Sequence, residues 1–284
     1  MRIAVWKTGH AIADTVAEAL SEGLDAEINH VYQNASDPHW HVWQETNANV
    51  HIAYGILRGT ERVFKNTDHW FHVDRGYTNP GHYEGNYRIS YKGTQAKWHE
   101  GIPRKPWGGR LEPMRRYDAS KPILFCPPTD AVEEFFGLQD WYLENIPIGA
   151  FIKRQKGETR PLEEDLDRCR AVITFNSSVG WEAIRRGIPC LSDVNHSLVG
   201  SFYGETDLNK LRQKFHEAPD NRQELFDTMA AHEFTLGEIK QGKAWNLINH
   251  YLSSSATTAE KPSPLTCVPT PSKSALTSRF QSNT

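Results

Sequence analysis

The stretch that most restricts how this 284-residue chain folds runs from Arg170 to Ser192. Ala171 to Phe175 is a short apolar run rich in β-branched residues, the pattern of a buried strand. Asn176, Ser177 and Ser178 break it with side chains that cap helices. Val179 to Arg186 reads as the helix, Gly187 closes it, and Ile188 to Leu191 is a second buried strand with Pro189 near its start. Strand, polar turn, helix, glycine and strand make one βαβ unit. Its turn lies at the carboxyl end of a parallel strand, where open α/β sheets bind ligands. There the N–H groups of Ser177, Ser178 and Val179 would face an anionic group such as a phosphate. Simple capping of the helix by Ser177 or Ser178 is the alternative, and the two uses are compatible.

The flanking chain repeats the pattern. Ile123 to Phe125 reads as a strand, Thr129 as the cap of a helix from Asp130 to Asn145, Ala150 to Lys153 as a strand and Leu162 to Asp167 as a short acidic helix. The second half is therefore doubly wound α/β. In the first half, Arg2 to Trp6 reads as a strand, Gly9-His10 as a turn, and Ile12 to Leu20 as a helix with Ile12, Val16, Ala19 and Leu20 on one face. His51 to Leu57 and Trp70 to Val73 read as strands around a helix from Arg58 to Lys65. Helices are expected over 207–214 and 222–230, with a last one from Phe234 to Leu252 that Gly237 and Gly242 weaken. The expected division is a first α/β domain over 1–121, a second over 122–252, and a Ser/Thr/Pro-rich disordered tail over 253–284.

The net charge of −3 conceals an asymmetry: residues 58–121 hold 13 Lys and Arg against 7 Asp and Glu. A basic segment in an acidic protein suggests a polyanionic partner or a phosphorylated ligand, against the alternative of an ordinary solvated surface. Within it, residues 97–116 form a long irregular insertion in which Arg104, Lys105, Trp107 and Arg110 stand among prolines and glycines. Basic residues interleaved with aromatics hold phosphates and stack bases, or stack sugars.

The sequence has no HExxH, GxSxG or GxxxxGK[ST] pattern. His39-x-His41 and His69-x-x-His72 do not complete a metal-ligand set, and no metal site is expected. The four cysteines are far apart and form no CxxC pair; they read as reduced, three of them core residues, which suits a cytoplasmic protein. No stretch reaches transmembrane length, so no membrane-spanning segment is expected. Asp74, at the carboxyl end of a strand, is either a reacting carboxylate or a turn cap. Lys153 and Arg154, at the end of a neighbouring strand, either neutralise a diphosphate or form a solvated strand end. Glu182, on the first turn of the central helix, either reaches a ribose hydroxyl or answers the helix dipole.

Residues Ala171 to Cys190, with Asn-Ser-x-x-Gly-x-Glu-Ala followed by Gly-x-Pro, resemble the donor-domain signature of glycosyltransferases with two Rossmann-like domains, the GT-B type. The form found in capsule-polysaccharide transferases is the most similar, and Ile152-Lys153-Arg154 with the run 161–166 fits it. The runs 71–77, 87–90 and 234–245 also resemble small glycosyltransferase-like proteins of bacteriophages.

The resemblance implies two Rossmann-like domains with an inter-domain cleft. It implies a nucleotide-sugar co-substrate on the second domain, an acceptor on the first, and no obligatory metal or other cofactor. The donor-side residues would be Lys153, Arg154, Asn176, Ser177, Ser178, Val179, Gly180 and Glu182. The resemblance does not itself supply a base; from its place at the end of a strand Asp74 is the expected general base, with His72 the second choice, and Arg75, Tyr77, Arg88, Arg104, Lys105, Trp107 and Arg110 are expected on the acceptor side. The acceptor is either a hydroxymethylated base in viral DNA or a surface or lipid-linked glycan; a non-catalytic nucleotide- or nucleic-acid-binding protein of the same fold is the third alternative. A cytoplasmic site of action, in the host if the protein is viral, goes with this reading.

Overall fold

A computed structural model describes residues 1–34, 37–43, 46–81, 83–138 and 140–257. In chain order the elements are β1 (Ile3–Lys7), α1 (Ala11–Leu24), β2 (Glu27–Asn34), β3 (Asp37–Trp43), β4 (Val50–Tyr54), α2 (Thr60–Lys65), β5 (Trp70–Arg75) and β6 (Asn86–Tyr91). Next come β7 (Ile123–Cys126), α3 (Asp130–Phe136), α4 (Trp141–Asn145), β8 (Phe151–Lys153), α5 (Leu162–Arg168), β9 (Ala171–Thr174), α6 (Val179–Arg185) and β10 (Cys190–Ser192). The chain ends in α7 (Leu198–Tyr203), α8 (Leu208–Glu217), α9 (Asn221–Ala231), β11 (Glu233–Thr235), α10 (Leu236–Lys240) and α11 (Trp245–Thr257).

These strands form two sheets. The first has the order β11-β6-β5-β4-β1-β2-β3; β2, β1, β4 and β5 are mutually parallel, whereas β3, β6 and β11 run antiparallel to their neighbours. The second has the order β10-β9-β7-β8 and is parallel throughout. The protein is thus mixed α/β with a Rossmann-like pattern of parallel strands and intervening helices. The central βαβ unit is β9-α6-β10, and its apolar strands are buried because helices cover the sheet.

The tertiary contacts add one strand and correct three readings. The segment 77–91, which has little helical periodicity, ends in the strand β6, because its alternation of Tyr87 and Ile89 inward with Asn86 and Arg88 half-exposed completes the first sheet. The helix expected over 130–145 is two short helices, divided where Gly137 takes a left-handed conformation. The helix expected over 234–252 is a strand and two helices, and Gly242 separates the helices with φ +75°. Residues 253–257, expected in the disordered tail, continue α11, while 258–284, Cys267 included, lie outside the described residues.

The chain also crosses between the sheets twice, so its two halves are not contiguous in sequence. β11 pairs with β6 of the first sheet, α10 packs on α1, and Ile239, Ala244, Leu247, Ile248 and Tyr251 join the core of that sheet. Residues from β11 to α11, expected with the second half, thus pack with the first sheet. Conversely, Ala96, Ile102, Trp98, Trp107, Leu111 and Met114, expected with the first domain, pack against the core of the second sheet. This strap presses so closely that a Cβ at Gly187 would sit 2.3 Å from the carbonyl oxygen of Pro113. Gly187 also has φ +71°, so both space and conformation demand glycine there.

Candidate functional site

The carboxyl end of the second sheet carries three successive turns. After β7, Pro127 and Pro128 lead into α3; after β9, residues 175–178 lead into α6; after β10, residues 193–197 lead into α7. The middle turn is the expected anion site. Ser178 is exposed, Asn176 and Ser177 are half-exposed, and Val179 and Gly180 are buried. Two of the three amides expected to be free are engaged locally: Ser177 N–H donates to Thr174 Oγ1 at 3.3 Å and Val179 N–H to Ser177 Oγ at 3.3 Å. The amide of Ser178 has no partner among the described residues. Gly180 is needed for packing, since a Cβ there would lie 3.3 Å from Cys190 Sγ and 3.4 Å from Thr174 Cγ2.

The turn is bonded to the first sheet. Gln95, in the segment after β6, donates from Nε2 to Asn176 O at 2.5 Å and accepts from Leu198 N–H at 3.0 Å and Ser197 Oγ at 3.4 Å. Asn176 Nδ2 donates to Thr94 Oγ1 at 3.0 Å. Trp181 donates its indole N–H to Tyr77 O at 2.8 Å, with the two rings edge to face at 4.9 Å. Hence the carboxyl-end turn of β9 abuts the segments that follow β5 and β6.

The cationic side of the turn is ordered by a buried carboxylate. Asp165 is fully buried on α5 and holds Arg154 Nη1 at 2.7 Å and Arg160 Nε at 2.7 Å. Two guanidiniums on one carboxylate leave a net positive charge beside the end of β8. Lys153 is exposed and lies 4.7 Å from the ring of Tyr142. Arg160 was not among the residues the sequence singled out, because its loop position gives no periodicity to read. Glu182 does not reach outward for a ribose: its two oxygens accept from Arg185 and Arg186 at 2.6–2.9 Å. Burial raises its carboxyl pKa, but these two arginines bring it below its ordinary value.

The first-sheet candidates prove to be bonded to one another. Asp74 Oδ2 accepts from Arg88 Nη2 at 2.7 Å, and Oδ1 accepts from Arg75 N–H at 2.8 Å. Arg88 also donates to Arg75 O at 2.6 Å and Thr94 O at 3.2 Å, and stands 5.3 Å from the Tyr77 ring. Asp74 is densely surrounded although 36% of its side chain stays open to solvent. Burial raises its pKa; Arg88 foremost, then His72 and the Arg75 amide, outweigh that and hold the carboxyl below its usual range. Both oxygens are engaged and the charge is neutralised, so Asp74 is poorly placed to abstract a proton. His72 is 1% exposed, packs edge-on to Phe64 at 6.2 Å, and burial lowers its pKa to about 4. It cannot meet an acceptor. Tyr77 is likewise buried, and its hydroxyl accepts from Ala96 N–H at 3.2 Å. Arg75 is exposed at the sheet edge.

The strap residues divide. Arg104 pairs with Glu224 at 2.6 Å, Lys105 N–H donates to Asp227 O at 3.0 Å, and Trp107 stacks on Phe226 at 4.5 Å while its amide donates to Asp227 Oδ1 at 2.8 Å. All of these partners lie on α9, which leads directly into β11 of the first sheet. The side chains of Lys105 and Arg110 are exposed.

A pair that the sequence reading missed stands on the third turn. His196 Nδ1 lies 2.8 Å from Asp193 Oδ1, which also accepts the amides of Asn195 and His196 at 2.9 Å each. Burial raises the Asp193 pKa, and the His196 ring and these amides more than reverse that. An ionised carboxylate only accepts, so His196 Nδ1 carries the proton and Nε2 presents a lone pair in the neutral ring. The Asp-x-x-His spacing was the available signal, but such spacing alone is common.

Two cavities, of about 530 and 740 Å³, lie at the amino ends of the first sheet, one lined by Met1, Arg2, Glu22 and Trp245 and the other by Trp6, Asn49, His51 and His69. Neither adjoins the turns described above; strand direction, rather than cavity size, places the chemistry. Among the described residues no group of three or more His, Cys, Asp or Glu side chains is placed to hold a metal ion, and no helix is long and apolar enough to cross a membrane. The side chains of His39, His41 and His82 lie outside the described residues. Cys126, Cys169 and Cys190 are free and buried, and burial pushes their thiols up.

No family model and no curated protein matches the chain. Among solved structures, KpsC of Thermosulfurimonas dismutans, described as a beta Kdo 2,7 transferase, aligns over 88% of this chain and 100% of its own with 11% identity and a TM-score of 0.42. At that score the likeness carries no argument, and the functional reading rests on the site.

Proposed function

We propose that this protein is a glycosyltransferase of two Rossmann-like halves that moves a sugar from a nucleotide-sugar donor to an acceptor hydroxyl in a cleft between them. The observation that carries the proposal is the junction itself: the carboxyl-end turn of β9, with the unpartnered amide of exposed Ser178, abuts the segments after β5 and β6. Carboxyl ends of parallel strands are where such sheets bind ligands, and opposing two of them brings donor and acceptor together. Lys153, Arg154 and Arg160 supply the positive charge that a departing phosphate needs, with Asp165 fixing the two arginines. Asn176, Ser177 and Ser178 would shape the phosphate contact; Val179 and Gly180 serve by packing beneath it.

For the acceptor we propose a hydroxymethylated base in DNA, drawn out of the duplex. Support comes from the strap, where residues 97–116 hold six Lys and Arg against two Glu, with Lys105 and Arg110 exposed. A glycan acceptor is the competing outcome.

The test is a panel of uridine, guanosine and cytidine nucleotide sugars in a thermal-shift assay, followed by transfer assays with modified DNA and with glycans. The matching donor raises the melting temperature by mass action, and Lys153→Gln reduces that rise. Salt-sensitive DNA binding that weakens in the Lys105→Ala/Arg110→Ala variant favours the DNA acceptor. No stabilisation by any donor overturns the proposal.

A further inference from the structure

The mechanism just proposed lacks a base, since Asp74 is tied to Arg88 and His72 is buried. We propose that His196 is the general base of the transfer and that Asp193 is its positioning residue. This deepens the transferase reading and rests on it.

The geometry is specific. The turn bearing the pair is bonded directly to the residue before the donor turn: Asp193 N–H donates to Phe175 O at 3.1 Å and Ser192 Oγ to the same oxygen at 2.7 Å. The His196 ring lies 5.3 Å from that of Phe175, the residue that follows β9, and 4.5 Å from that of Phe136, the last residue of α3, so it packs between the end of β9 and the end of α3. The next two residues, Ser197 and Leu198, meet Gln95 from the first sheet. His196 therefore occupies the junction rather than the outer surface, yet 31% of its side chain is open to solvent and its Nε2 carries no hydrogen bond among the described residues. Asp193 is held in turn by the two amides it accepts. Gly200 packs so close that a Cβ there would lie 2.2 Å from Asp193 O. A carboxylate that fixes the tautomer of a half-open imidazole is the arrangement by which histidine serves as a base near neutral pH.

In the step itself, the acceptor hydroxyl gives its proton to Nε2 as its oxygen bonds to the anomeric carbon. The bond from that carbon to the donor phosphate breaks, and its electron pair leaves with the phosphate oxygen toward Arg154 and Arg160. The imidazolium, stabilised by Asp193, later releases the proton to solvent. No oxidant, reductant or metal enters the balance.

The test uses the full chain and the nucleotide sugar that stabilises it most. His196→Ala and His196→Gln should keep the donor-induced rise in melting temperature and lose about 10²- to 10⁴-fold in kcat. The acid limb of the pH–rate profile should vanish with them. Asp193→Asn should lower kcat and displace that limb while leaving donor stabilisation in place, which a purely structural role would not do. If donor is bound and His196→Ala turns over within about threefold of the parent rate, the assignment is overturned while the transferase reading stands. If no nucleotide sugar stabilises the unaltered protein, both fall, and that outcome is seen before any variant is made.

Discussion

The two sheets present similar carboxyl edges made of opposite materials. On the first, Asp74, Arg75 and Arg88 satisfy one another, Tyr77 is capped by the strap, and His72 is sealed beneath Phe64. On the second, Lys153 is exposed, and among the described residues the Ser178 amide and the His196 ring nitrogen opposite its carboxylate have no partner. The charged groups of the first edge are paired, and His72 Nδ1, which has no partner among the described residues, is buried; the groups of the second edge are ordered and open to solvent. Type and position in sequence do not separate these cases, and the pairing does.

The contrast can be broken, beginning with the largest effect. Asp165 is a fully buried carboxylate between two arginines. Asp165→Ala leaves Arg154 uncompensated and should cost about 3–5 kcal/mol in denaturant unfolding, as removal of one partner of a buried ion pair does. Donor stabilisation should fall with it, since the two arginines lose their anchor.

Acid should reveal which histidines belong to the fold. His72 and His232 are both fully enclosed, and burial takes each from an ordinary 6.5 to about 4. Folded, they bind fewer protons than unfolded, so the stability they contribute is complete above about pH 6.5 and is lost as pH falls toward about 4. The loss is on the order of 3 kcal/mol for each, from about 1.4 kcal/mol per pKa unit. Asp74, Glu182 and Asp193, held below their ordinary values, lose stability in the same direction at still lower pH. Stability curves from pH 4 to 8 should flatten for His72→Leu; an unchanged slope there would show that the burial of His72 does not carry the acid dependence.

Smaller still is the cost of parting the ion pair on the first edge. Arg88→Met should destabilise by about 2 kcal/mol, less than a buried pair because Asp74 is partly solvated. Asp74→Asn combined with it should recover part of the loss in a double-mutant cycle. Gln95→Leu, which strips a donor from Asn176 O and an acceptor from Leu198 N–H, should cost roughly 1–2 kcal/mol and increase amide exchange over 176–181. Unchanged exchange there would show that the junction does not depend on this side chain.

How much could be read in advance varied with how local the cause was. The βαβ unit from 171 to 192 was legible because apolar runs, caps and a closing glycine are contiguous. So were β1, β4, β5, β7 and the first turns of α1. β6 and β11 were not, because each is stabilised by a partner far away: Tyr87 pairs with Phe234 across the sheet. The strap and α10 pack across the division expected at residue 121 for the same reason. The strap is held by α9 and by Gly187, and α10 by α1, none of which composition encodes.

For the site, the sequence singled out the Asn176–Ser178 turn and the Lys153–Arg154 strand end, since a strand direction and a helix start fix where such groups must lie. It did not determine which were free. That Asp74 is neutralised, that Glu182 folds back on Arg185 and Arg186, and that His196 pairs with a carboxylate through Nδ1 while its Nε2 has no partner among the described residues were settled by the tertiary structure. Proton affinity depends on distances to charges and to water, and those distances are set by segments that meet only when both sheets have formed.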